Sequence, residues 1–398
     1  MNPKQIHRGI LGRLLSLKRD RYIAQVRLVA RLHDAALLGG KSVRPILFFL
    51  PDLHLMTKAG DRRYRYSFRK LEPKRYLKRD VLLAQLCEAI LGFRNDLPDP
   101  SLLKVVQLGD LVDLWREVET EGETVDSTVR RILNDNPVVR KHLIGKTAAS
   151  LQAELLRGNH DWDMIKSTDL QHAKIAHVYT VNGRKTVLVT HGHFFDWVED
   201  FEDEVQEAMV EKFGPKAPPA KYKLDRTKEP EKDAFIDEEE DFLPADDENT
   251  GSQGEAPRVV KREEESDSFP PRVNVWVTKG TFNLEKFLES HKLLQRAVTF
   301  AKRIRTGNKT YLKRLGISEA LPDLRTIVIG HSHYARICIH YQIVGSPKPL
   351  VLADCGAWIE YARFNNKPAV GSCQIGVLCG GDMRIYQLDP HDDLRANR

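Results

Sequence analysis

The chain has 398 residues, 41% of them hydrophobic and 30% charged, enough apolar surface to bury a globular core. No apolar run approaches the roughly 18 residues that a membrane span needs. The five cysteines (Cys87, Cys338, Cys355, Cys373, Cys379) form no C-x-x-C pair, which argues against a disulfide framework or zinc ribbon and fits a reducing cytosol. The net charge of +6 is unevenly spread: Asp225 to Asp267 holds seventeen acidic and six basic residues, a net of −11, and leaves +17 on the remainder. A body that basic expects anionic partners: phosphates, nucleic acid or an anionic membrane surface.

Residues 1–44 read as a basic helical extension. Ile6, Ile10, Leu14, Leu17, Leu28 and Leu32 share one sector at helical period, and Lys and Arg fill much of the rest. Such a helix either packs on the following domain or a second subunit, or makes peripheral contact with a membrane. The N-terminus carries no apolar region with a small-residue cleavage site, so the expected location is cytoplasmic.

Short apolar strands follow, each running into a polar cluster. Pro45 to Leu50 runs into Asp52 and His54, and Leu103 to Leu108 into Gly109, Asp110 and Asp113. Glu154 to Arg157 runs into Gly158, Asn159, His160 and Asp161. Thr186 to Thr190 runs into His191 and His193, and Arg325 to Ile329 into Gly330, His331 and His333. Asp80 to Leu91 has helical period, and the C-terminal part reads as strands at Ile337–Tyr341, Leu350–Asp354, Gln374–Leu378 and Arg384–Leu388, with Cys379 to Asp382 as a hairpin turn. Apolar strands that end in chemistry are the pattern of an open α/β sheet, whose ligands bind beyond the carboxyl ends of the strands.

Residues 201–322 interrupt the series. A helix is expected over Val198–Phe213 and another over Leu284–Lys302, as a cap over the site. The Pro-rich, acidic stretch between them, about 215–271, is expected to be disordered, because it cannot bury enough apolar surface to offset its ordering entropy.

Six of the fourteen histidines sit in the strand-end clusters beside Asp, Asn or Gly. Carboxylate and imidazole together suit Mn, Fe or Zn, with manganese favoured, and the donors suffice for two divalent ions. Two ions about 3.5–4 Å apart can clamp a phosphoryl group and activate water. On extended strand ends, residues i and i+2 point the same way, which would let Asp52 with His54, His191 with His193, and His331 with His333 each reach one ion. A glycine before Asp110, Asn159 and His331 allows a sharp turn there.

The ordered string D-x-H, G-D-x-x-D, G-N-H-D, H-G-H, G-H-x-H resembles the calcineurin-like metallophosphoesterase superfamily, over Ile46 to Leu388 apart from the insertion. The resemblance implies an α/β fold, a four-layer α/β/β/α sandwich with the N-terminal helical extension and the insertion added to it. Its core would be residues 45–200 and 323–390. It assigns Asp52, His54 and His333 to one metal, Asn159, His191 and His331 to a second, and Asp110 to both. His160 would contact the phosphate and protonate the leaving group, with Asp161 fixing its tautomer. Asp113 would support His54 in the same way, and His193 would lie behind the ligands or face the substrate. The implied reaction is hydrolysis of a phosphodiester or pyrophosphate bond by a metal-bound hydroxide. Asp52 to Leu55 and Gly109 to Trp115 are similar to bacterial UDP-2,3-diacylglucosamine hydrolases, but that branch carries Arg where His160 stands and H-G-D where His191 to His193 stand. The substrate therefore stays open between nucleotide-linked and lipid-linked phosphates, and a nuclease or a non-catalytic scaffold of the same fold are the alternatives. Ten basic residues between Lys58 and Arg79, interleaved with Tyr64, Tyr66, Phe68 and Tyr76, could form an electropositive rim for such a substrate.

Overall fold

The computed structural model describes residues 3–15, 22–35, 37–38, 45–63, 79–115, 117, 122–147, 150–195, 284–333, 335–340, 349–358 and 373–392. The chain falls into two compact units, one of Met1–Asp196 with Arg272–Arg398 and one of Trp197–Pro271. The second unit lies outside the described residues, as do the helix expected over Val198–Phe213, the acidic stretch and most of the basic segment after Arg63.

The first unit is mixed α/β with two mixed sheets. In chain order its elements begin with α1 (Pro3–Leu15), β1 (Tyr22–His33), β2 (Ile46–Leu50), α2 (Lys58–Arg63), α3 (Arg79–Asn95) and β3 (Leu103–Gln107). They continue with α4 (Val125–Asp135), β4 (Glu154–Leu155), β5 (Ala176–Val181), β6 (Arg184–Thr190), α5 (Leu284–Thr306) and α6 (Lys309–Leu315). The last are β7 (Thr326–Ile329), β8 (Ala335–His340), β9 (Leu350–Cys355), β10 (Gln374–Cys379) and β11 (Asp382–Asp392). One sheet has the order β1-β11-β10-β2-β3-β4 and the other β5-β6-β7-β9-β8.

Strand alternation sorts the apolar side chains onto two faces. Along β2, Ile46, Phe48 and Leu50 pack with Leu82, Leu86, Ile90 and Phe93 of α3 and with Val129, Ile132 and Leu133 of α4. The intervening Leu47 and Phe49 pack with Val187, Val189, Val328, Val351 and Ile337 of the other sheet. In that sheet Leu188, Ile327, Ile329 and Leu352 turn the other way, onto Leu294, Ala297, Phe300, Ala301 and Ile304 of α5 and Leu312 of α6. Both sheets are therefore apolar on both faces where they pack, which is why β2 and the Val187–Val189 and Ile327–Ile329 parts of β6 and β7 read as hydrophobic runs. The i, i+3, i+4, i+7 spacing of the α5 stripe is what lets it cover a sheet. The expectation of a cap over the site thus fails for Leu284–Thr306, which packs on the second sheet as part of the first unit.

Residues 1–44 are not helical throughout. Among the described residues of this span Pro3–Leu15 is helical, while Tyr22–His33 is an edge strand, antiparallel to β11 from Tyr22↔Asp392 to His33↔Asp382. Ala30 and Leu32 are buried while Arg31 and His33 are exposed, a period of two that competes with the helical spacing of the same residues. The partner strand decides between them. Ile6 and Ile10 of the expected apolar sector are buried with Ile46 and Phe93. Among the described residues no helix is long and apolar enough to cross a membrane. The five cysteines are buried and unpaired.

The chain turns sharply at two hairpins. Gly380 between β10 and β11 has φ +58, at the expected turn. Asn182 and Gly183, both at positive φ, join β5 to β6, where the sequence reading placed only β6. Strands β2, β3 and β4 are mutually parallel, as are β6, β7 and β9, so their carboxyl ends lie together at one edge of each sheet.

Candidate metal centre

The loops leaving those carboxyl ends are stitched together by their backbones. The amides of Leu53 and His54 both donate to the Asp110 carbonyl (3.1 and 2.8 Å), and Gly330 N donates to the His191 carbonyl (3.0 Å). The Asp161 carboxylate accepts from Gly158 N (2.6 Å) and Leu111 N (2.7 Å), tying the β3 loop to the β4 loop.

Three of the loops come so close that only glycine fits. A Cβ on Gly158 would stand 1.9 Å from Asp110 Oδ1, one on Gly330 2.1 Å from Asp52 Oδ1, and one on Gly109 2.6 Å from His191 Nδ1. These are contacts of carboxylate and imidazole on bare backbone. Of the seven non-glycine residues at positive φ among the described residues, four are His54, Asp110, His331 and His333. That backbone strain sits on the residues picked out for chemistry, and the surrounding hydrogen bonds hold it in place. Asp52 and His54 fall in one donor group as expected, but the i, i+2 argument from extended strand ends fails for His331 and His333. His331 and His333 turn to different partners: His331 joins Asp110 and His191, and His333 joins Asp52 and His54.

Tautomers follow from the hydrogen bonds. His191 Nδ1 lies 3.0 Å from the Leu108 carbonyl, so it carries the proton and donates. With Nδ1 on that carbonyl, Nε2 is the nitrogen turned to the cluster, 3.0 Å from Asn159 Oδ1, 3.2 Å from Asp110 Oδ2 and 3.2 Å from His331 Nδ1. His54 Nδ1 donates to Asp113 Oδ2 (3.0 Å), which leaves its Nε2 facing His333 Nε2 (3.2 Å) and Asp110 Oδ2 (3.5 Å). His333 Nε2 is also 3.3 Å from Asp52 Oδ2. The other oxygen of Asp110 is held by the amide of His160 (3.0 Å), so Oδ2 is the atom turned toward both His191 Nε2 and His54 Nε2.

Lone pairs converging on a buried point repel unless a cation or proton lies between them. Burial alone would push His191 down, but the facing Asp110 and Asp52 carboxylates hold it up at about 10. Burial would raise Asp110, and the His191 and His160 imidazoles hold it well below the usual carboxylate range instead. Burial, with the Asp110 charge beside it, pushes Asp161 up to about 7. Asp52 Oδ1 is buried with no hydrogen-bond partner, a cost of about 1–3 kcal/mol if nothing binds it. These His and Asp groups could hold metal ions, and the Asp52 oxygen without a hydrogen-bond partner is an atom that a cation would satisfy.

His160 is half-buried, forms with His54 and Asp110 a third group that could hold an ion, and has Nδ1 3.1 Å from Asp113 Oδ1. The carboxylate that fixes His160 is thus Asp113, and the expected role of Asp161 is corrected: its oxygens are taken by two backbone amides. Asp113 gives one oxygen to His54 and the other to His160. Both imidazoles hold Asp113 ionised against the pull of burial. His193 lies behind His191, ring centroids 5.5 Å apart, and packs on Phe194 at 3.9 Å. It is buried, its Nδ1 has no hydrogen-bond partner, and burial with the His191 charge pushes its pKa well down.

Further residues join the site without having been singled out in the sequence. Ser332 Oγ donates to Asp354 and accepts from Arg336 Nη2 (3.0 Å), clamping the turn between His331 and His333. Asp354 ends β9 as the other site residues end their strands, which is the signal that could have found it. Trp115 stacks on His160, and Trp162 packs near His193.

Compared with known proteins, the chain matches no protein-family model and no curated protein.

Proposed function

We propose that the chain is a metal-dependent phosphoesterase of the calcineurin-like type, hydrolysing a phosphodiester or pyrophosphate bond. Asp110 carries this reading: one carboxylate oxygen stands 3.2 Å from His191 Nε2 and 3.5 Å from His54 Nε2, at the junction of two donor sets. The Asp52, His54 and His333 group would hold one cation and the Asn159, His191 and His331 group a second, with Asp110 between. Supporting it further, helices cover the outer face of each sheet while the two inner faces pack together, the layering expected of the α/β/β/α sandwich.

The chemistry such cations supply is Lewis acidity, polarising a phosphoryl group and lowering the pKa of water. The protein's own residues do the rest. Asp113 holds His160 by Nδ1, so Nε2 is the nitrogen that would donate a proton to the departing oxygen. The same carboxylate orients His54, so one buried anion aligns a ligand and an acid together. Ser332, Asp354 and Arg336 keep His331 and His333 apart, each turned to its own donor set. Asp161 fixes the distance between the Asp110 and His160 loops.

Phosphorus NMR of the Mn-loaded chain tests this against a phosphomonoester, a cyclic nucleotide, a short single-stranded DNA and a UDP-linked acyl sugar. New phosphorus signals are expected with at least one of them and none with Asp110→Asn. No turnover of any member by protein that retains bound manganese would count against the proposal.

A further inference from the structure

Among the described residues four large hydrophobic side chains are exposed: Val81 (38%), Trp115 (36%), Trp162 (40%) and Ile165 (40%). Three of them belong to segments that carry the site. Trp115 follows the Asp110–Asp113 loop, and Trp162 and Ile165 lie on the turn Trp162–Lys166 directly after His160 and Asp161. Apolar surface left in water and gathered beside polar chemistry marks a place where something organic binds.

The two indoles attach to different donor sets. Trp115 lies 4.5 Å from the His160 ring, which lies 4.7 Å from that of His54. Trp162 lies 5.7 Å from the His193 ring, which lies 5.5 Å from that of His191. Asp110 stands between His54 and His191. One face of each indole is already backed by the protein. The His160 ring meets Trp115 at a tilt of 34°, and the Arg157 guanidinium lies 4.4 Å from the Trp162 centroid. Arg157 Nε is buried without a hydrogen-bond partner, so the ring contact is not a by-product of a hydrogen bond at that atom.

A backed indole with its other side in water is a stacking platform. We infer that Trp115 and Trp162 are two such platforms, one toward each donor set, and that the substrate is a phosphodiester bearing a planar ring on both sides of phosphorus. This rests on the phosphoesterase reading. A monoester has a single organic group and would leave one platform empty. A diester with two rings fills both while its phosphorus sits at Asp110, and Arg157 adds a positive charge beside the second ring.

Three synthetic esters separate the terms: p-nitrophenyl phosphate (monoester, one ring), methyl p-nitrophenyl phosphate (diester, one ring) and bis(p-nitrophenyl) phosphate (diester, two rings). With the full Mn-loaded chain, the two-ring diester is expected to show a KM about tenfold below that of the methyl diester, toward the lower end of the range for aromatic stacking. Trp115→Leu and Trp162→Leu should each raise KM for the two-ring diester by about tenfold and change kcat little. Trp115→Phe and Trp162→Phe, which keep a ring, should restore most of it. Calorimetric binding of the same esters gives a readout independent of turnover. If none of the three is hydrolysed and the phosphorus NMR panel shows no turnover either, the phosphoesterase reading fails, and calorimetry still decides the platforms by whether the two-ring ester loses affinity in both Leu variants. Equal KM and equal affinity for the one-ring and two-ring diesters, or Leu variants that bind both as the wild type does, would overturn the inference.

Discussion

Asp113 divides its two oxygens between His54 and His160, and this division separates two roles that the sequence places together. Replacing His160 by Ala removes no member of either donor set assigned here. Bound metal should stay at the wild-type level while the rate falls by roughly 10²–10⁴-fold, the usual worth of a positioned acid; metal analysis and rates on the same preparation check this. Gly158→Ala makes the opposite prediction. Its Cβ would meet Asp110 Oδ1 at 1.9 Å and Asp110 N at 2.6 Å, so the carboxylate must leave its position between the donor sets. Metal content and rate should fall together, whereas Gly183→Ala, with open space around its Cβ, should cost only the strain of its positive φ and leave both intact. The sequence made these side chains legible as candidates because each follows an apolar strand. It could not show which carboxylate meets which imidazole: Asp161 is next to His160 in the chain, yet Asp113, 47 residues away, is the one within reach.

At the scale of elements, β1 and α1 are bound into the first sheet. An N-terminal truncation that starts at Pro45 would strip β11 of its antiparallel partner from Tyr22 to His33 and uncover the contacts of Ile6, Ile10, Ala30 and Leu32. We expect such a protein to be insoluble or to melt far below the full chain, with circular dichroism as the measure; a dispensable extension would leave melting unchanged. His7 gives the same region a pH signature. It is buried, with Nδ1 3.2 Å from Tyr386 Oη and Nε2 3.4 Å from the Asp382 carbonyl. Arg384 meets the Asp382 carboxylate at 2.7 Å, and Arg31 and His33 of β1 lie 3.6 and 3.3 Å from it. Burial is the largest influence and lowers His7 to about 4, against an ordinary 6.5, despite the Asp382 charge. The folded state therefore binds fewer protons than the unfolded between those values. The stability that His7 contributes is present above pH 6.5 and is lost as pH falls toward 4. A His7→Asn variant should flatten the dependence of the melting temperature on pH across that window; an unchanged slope would remove His7 as its source. The alternation of Ala30, Arg31, Leu32 and His33 was in the sequence, as was the Asn182-Gly183 hairpin between β5 and β6. Helical period overlapped the first signal, and without a visible partner strand nothing in the chain's own spacing ranks one period above the other.

For the whole molecule, the legible part was the one built from repetition: strand, polar cluster, strand, polar cluster. The parallel strands place those clusters on shared edges, and the two-sided burial of both sheets explains the consecutive apolar residues of β2 and of the Val187–Val189 part of β6. The register of the sheets, the outward packing of α5 and the joining of Ser332 to Asp354 depend on contacts between residues far apart in sequence. No periodicity encodes these. The central claim is that the shared oxygen of Asp110 joins two cation sites into one. The most direct measurement is manganese bound per chain after loading and exhaustive dialysis, by plasma mass spectrometry, for the wild type and Asp110→Asn. Paired sites predict roughly two ions per wild-type chain and a marked loss in Asp110→Asn, whose folding should be intact because the side chain keeps its shape. Little or no manganese on the wild type, or equal amounts on both proteins, would contradict the account.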